Sequence, residues 1–153
     1  MELHAGLHDC LDVVLDHMSG IPPGLLVREL AGFGRPTVRE QFAHILSTEA
    51  GWVCGLQSLP IRRVDPATLS TTDDFRQVKK DTMAATFAYL DSIGEHQLNT
   101  ELESYPEGWI GPHRSPAFIL LHVITHGFHH KGQIVAMLRL LGYPAPDTDL
   151  QRA

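Results

Sequence analysis

Residues 115–144, SPAFILLHVITHGFHHKGQIVAMLRLLGYP, constrain the fold more than any other stretch of the chain. Apolar side chains recur there at three- and four-residue spacing from Ile119 to Leu141, a period that only an α-helix brings to one side. Ser115 offers a side-chain acceptor to the first turn. Pro116 suits the first helical position, where a backbone N–H would have no partner, and Gly142 and Pro144 end the run. A helix this long must cover its apolar side, and three further segments can do so. Glu2 to about Met18 places Leu3, Leu7, Leu11, Val14 and Leu15 near one face and is stopped by SGIPPG. The TVRE sequence at 37–40 is a capping box in which Thr37 and Glu40 satisfy each other's backbone N–H, starting a helix to about Gln57. TTDD opens another from about Asp73 to Ile93, with acids in its electropositive first turn. These segments predict an all-α, four-helix bundle forming a single domain over residues 1–153. The long connection before the last helix, with partial alternation around Leu98, Leu102 and Trp109, is expected to form a hairpin or an irregular cover.

Charge and cysteine content narrow the function classes. The formal net charge is −6, with 12 Lys and Arg and no basic cluster, which argues against a nucleic-acid partner because phosphate binding needs a basic face. No run approaches the roughly 18 apolar residues of a membrane span, and the first residues lack the pattern of a secretory leader. Cys10 and Cys54 stand far apart, outside any zinc-thiolate spacing, and Cys54 reads as a small hydrophobe rather than a nucleophile. A soluble, cytoplasmic protein with a small-molecule substrate is the expectation. Phosphate-binding loops and the nucleophile elbow of hydrolases are absent.

The histidines carry the chemistry. On a helical wheel with His122 at zero, the centre of the apolar stripe lies at about 60° to 120°. His130 falls at about 80° and His126 at about 40°, so both face inward, while His122 and His129 sit at the margin. Two imidazoles one turn apart can take adjacent positions on one metal ion, and side by side in an apolar core they are costly without a shared cation. The competing reading is a pair of core histidines bonded to neighbours. In the helix from Thr37, phase nominates Glu49 near the stripe's centre and leaves His44 at its edge as an ordinary, partly exposed histidine. Glu49 is then a ligand, a support for a ligand imidazole or a buried structural acid. His4, His8 and His17 are expected to be solvated. Trp109 and His113 are expected at the mouth of a cavity.

HVITHGFHHKGQI closely resembles the last-helix motif of the DinB-like family, the damage-inducible or YfiT-like metalloenzymes, and QFAHILSTEAGW resembles that family's second-helix segment. The resemblance implies that His44, His126 and His130 form a three-histidine site for a divalent ion such as zinc, nickel or iron. Glu49 becomes a candidate for supporting a ligand, facing substrate or acting as acid or base. Lys131 stands where the family often has arginine and lacks the planar fork for a bidentate contact. The family resemblance further implies a low-molecular-weight thiol as cosubstrate, hence an S-transferase in stress or detoxification; metal-assisted hydrolysis and ligand binding without turnover are the alternatives. A second apolar stripe on the last helix, Leu121, Ile124, Phe128 and Val135, together with the resemblance, predicts a homodimer. With ordinary imidazoles, metal affinity should fall as pH drops through about 6.5 and below.

Overall fold

A computed structural model describes residues 2–150; the outermost parts of the expected domain, residues 1 and 151–153, lie outside the described residues. Four long helices form its body: α1 (Glu2–Met18), α3 (Val38–Leu56), α4 (Thr72–Ser92) and α6 (Pro116–Leu140). Two short helices, α2 (Pro23–Leu26) and α5 (Glu95–Asn99), and a 3-10 turn at Pro66–Thr68 decorate the connections. The local chemistry sets the ends. Thr37 accepts from the backbone of Glu40 at 3.1 Å while the Glu40 carboxylate accepts from the Thr37 N–H, closing the capping box that starts α3. Thr71 and Asp74 repeat the device at α4, and Ser115 with Pro116 begins α6.

Helix α3 packs against α6 and α4, and α1 packs against the same two, so α1 and α3 stand at diagonal corners. One core runs through α1, α3 and α6 around Leu7, Leu11, Phe42, Leu46, Ile134 and Met137. A smaller cluster, Val53, Leu56, Tyr89, Ile119 and Leu120, closes the other end beneath Trp109. Gly127 lets α1 approach α6, because a Cβ there would collide with the Leu7 side chain.

The long connection resolves the choice between hairpin and cover. It contains α5 and then an irregular segment, with no strand among the described residues. Pro106 and Pro112 lack the N–H a ladder needs. The Tyr105 hydroxyl instead donates to the Arg114 carbonyl and accepts from its N–H, folding the segment on itself. Trp109 lies over Gly55, where any side chain would displace its ring. No described helix is long and apolar enough to cross a membrane, and both cysteines are free.

Candidate metal centre

Two helices bring the three predicted histidines together. His44 projects from α3 and His126 and His130 from α6, with ring centroids 4.4 to 4.7 Å apart. The Nε2 atoms of His44 and His126 face each other at 3.1 Å. Nitrogens bound to one tetrahedral zinc at about 2.0–2.1 Å lie about 3.3 Å apart, so this donor set fits such an ion with little movement. Each of the three offers a ring nitrogen within 4.8 Å of the others.

The ring of His130 is oriented by a residue that helix phase did not single out. Its Nδ1–H donates to the Gln41 Oε1 at 2.6 Å, which leaves Nε2 as a bare lone pair. Gln41 is fully buried; its amide donates to the Arg35 carbonyl at 3.0 Å and to Gln133 Oε1 at 2.6 Å. Gln133, the glutamine of the KGQ motif, donates in turn to His129 Nε2. His129 therefore serves the hydrogen-bond chain, and His122 stacks on Trp52 with centroids 4.4 Å apart.

Burial first, then the charge of neighbouring groups, keeps these imidazoles neutral. Burial lowers the His44 pKa to about 4, helped by Arg35 and His130. His126 is lowered to about 3 by burial and by His130 and His44, and His130 to about 4 by burial, His129 and Arg35. With the rings neutral well below pH 6.5, proton competition for these nitrogens is expected to extend to lower pH than ordinary imidazoles would give.

His44 forms part of the wall of a cavity of about 290 Å³, together with Arg35, Trp52, Arg62, Arg63 and Trp109. Trp109 thus reaches the cavity as expected. His113 does not; its ring packs on Tyr105 at 4.5 Å. Lys131 turns away from the histidines, and its ammonium donates to the carbonyl and hydroxyl of Thr148.

Glu49 belongs to a second cluster. His4 and His8, expected to be solvated, are instead 3% and 0% exposed, and both bond its carboxylate, at 2.6 and 3.0 Å. The spacing carried the signal: His4 and His8 continue the Leu11 and Leu15 stripe. His17, also expected in solvent, is half-buried and donates from Nε2 to the Tyr143 carbonyl. The Thr86 hydroxyl gives Glu49 a third bond at 2.7 Å. Burial pushes the Glu49 pKa up, but the hydrogen bonds from His4 and His8 outweigh it and hold the carboxyl far below its usual range. This group too has donors that could surround an ion. The Nδ1 atoms of both rings, however, are buried without a partner. A metal on each Nε2 would put a proton on each Nδ1 with no acceptor, whereas Nε2–H groups donating to the carboxylate leave only bare lone pairs. The cluster is accordingly a hydrogen-bonded buried acid.

A search of curated proteins finds no match. The model of the DinB family matches residues 11–153, which takes in α3 and α6, the helices that carry the three-histidine group, and nearly the whole chain. With its helical fold and a three-histidine group spanning α3 and α6, the chain belongs to the DinB family.

Proposed function

We propose that the protein is a divalent-metal-dependent enzyme whose ion is held by His44, His126 and His130, and that it joins an intact low-molecular-weight thiol through its sulfur to an electrophilic small molecule, an S–C bond forming as the S–H proton, and any leaving group of the electrophile, departs. One observation carries the metal reading: three neutral imidazoles from two helices converge, with one ring locked by Gln41 so that its free nitrogen is the one available. Zinc, nickel and iron all suit such a donor set. An ion held by the neutral rings of His44, His126 and His130 would keep its full charge and would supply the Lewis acidity that favours the deprotonated form of a thiol at neutral pH. The chain's own residues supply the rest. Gln41 fixes the ligand ring, Trp52 and Trp109 wall the adjoining cavity, and His44 links cavity to ligand set. The transferase reading draws on the family resemblance and on room for a substrate beside His44. A homodimer belongs to the same proposal, supported by exposed Phe118 and Leu121 on α6.

Calorimetric titration with zinc, nickel and iron tests the ligand set. About one ion per chain is expected at neutral pH, with strong loss of affinity in His44→Ala, His126→Ala and His130→Ala and unchanged stoichiometry in His122→Ala and His129→Ala. Unchanged affinity in the first three variants would leave hydrogen-bonded core histidines as the correct description. The loaded protein is then assayed for consumption of a thiol with a generic electrophile. Ion binding without thiol consumption would reduce the function to binding.

A further inference from the structure

The cavity beside His44 has a charge that the rest of the molecule does not. The chain carries a net charge of −6 with 12 Lys and Arg, yet three arginines, Arg35, Arg62 and Arg63, line this one cavity. None of their guanidinium groups makes an ion pair or hydrogen bond among the described residues; the Lys and Arg ion pairs found there join Arg76 and Lys79 to Asp12, Asp16 and Asp73. One carboxylate, Glu40, reaches the lining, and it is engaged by the backbone N–H and hydroxyl of Thr37. The cavity is thus cationic, and a low-dielectric cleft concentrates such a field.

Its other walls are aromatic. Trp52 and Trp109 lie with ring centroids 6.0 Å apart. Guanidinium groups present a planar fork matched to carboxylate and phosphate oxygens, and indole faces accept planar apolar surface. A volume of about 290 Å³ suits a small molecule rather than a polymer.

We propose that this cavity binds a small organic anion, a carboxylate or phosphate on a planar apolar body, with Arg35, Arg62 and Arg63 holding the oxyanion and Trp52 and Trp109 flanking the body. Identifying that anion as a substrate rests on the reading of the adjoining histidines as the reaction centre; its binding does not.

Both tryptophans of the chain line the cavity, so intrinsic emission reports on it directly. The full-length protein is titrated with benzoate, phenyl phosphate and benzamide, once after chelator treatment and once loaded with zinc. Benzoate or phenyl phosphate is expected to change the emission saturably in both preparations, and whichever binds more tightly identifies the oxyanion. Benzamide, a near-isostere without charge, should do nothing over the same range. Arg62 and Arg63 are exposed in the α3–α4 connection, so the R62Q/R63Q variant retains the fold, which circular dichroism verifies. It should bind the anion about tenfold more weakly, and the wild type should lose affinity as salt rises from about 0.05 to about 0.5 M. Benzamide binding as tightly as benzoate, or anion binding untouched by R62Q/R63Q, overturns the proposal. So does anion binding confined to the zinc-loaded protein, since the ion would then be the holder. Failure of zinc to bind defeats the metal reading alone and leaves the result in chelator-treated protein decisive.

Discussion

Among single residues, Gln41 has the largest leverage for its chemistry. A neutral imidazole has two tautomers, and one of them would present a proton instead of a lone pair to the proposed ion. The 2.6 Å bond from His130 Nδ1–H to Gln41 removes that ambiguity. Gln41→Ala is expected to lower metal affinity about 10- to 100-fold while stoichiometry stays at one, as measured by competition with a chromophoric chelator. Unchanged affinity would show that packing alone orients the ring. Gln41 was hidden in the sequence because a buried glutamine differs from a surface one only in its partners. His44 was half legible. Wheel phase put it at the edge of the apolar stripe, and a cavity wall is where such an edge leads; assigning it to the metal needed the resemblance. His4 and His8 were readable from their spacing, but histidine's usual place at the surface favoured solvent.

The helices themselves were legible because capping chemistry is local. Thr37, Thr71 and Ser115 mark starts that a few neighbouring residues determine, and the structure follows them closely. The long connection was not. Its shape depends on Trp109 finding Gly55 on a helix some fifty residues earlier, a contact with no local signature. The second stripe of α6 divides in the structure: Phe128 and Val135 pack on the core, whereas Leu121 stays 53% exposed, with Phe118 nearby at 48%. Exposed apolar side chains one turn apart on one helix suit a symmetric contact. The wild type is therefore expected to sediment as a dimer at micromolar concentration and Leu121→Glu as a monomer. A wild-type species of 17.0 kDa alone would exclude the dimer.

At the scale of the molecule, acid should act on two clusters in turn. The folded-state pKa values of His44, His126 and His130 are lowered, from 6.5 to about 4, 3 and 4. Between 6.5 and those values the unfolded chain binds more protons than the folded one. Stability of the metal-free protein is thus fully present above about 6.5 and declines as pH falls toward 4. Glu49 is depressed from 4.5, so its contribution persists above that value and is lost below it. Urea midpoints should fall steadily from about pH 7 to about pH 3. Replacing the three histidines with alanine should flatten the upper limb and spare the lower. A midpoint independent of pH across that range would contradict the burial of both groups.

The bonds from His4 and His8 to Glu49 cross the interior between diagonal helices, and this has a consequence for uniqueness rather than for strength. Apolar stripes tolerate sliding, because one leucine can replace another when a helix shifts by a turn. A carboxylate with three donors cannot shift: moving α1 by one turn would leave a buried charge facing Leu11 or bring His4 alone into reach. The cluster acts as a register pin for the whole assembly. Leucine at positions 4, 8 and 49 together is expected to preserve helix content and thermal stability, yet to give several slowly exchanging sets of amide resonances where the wild type gives one. A single sharp set in that triple variant would mean that apolar shape alone selects the packing.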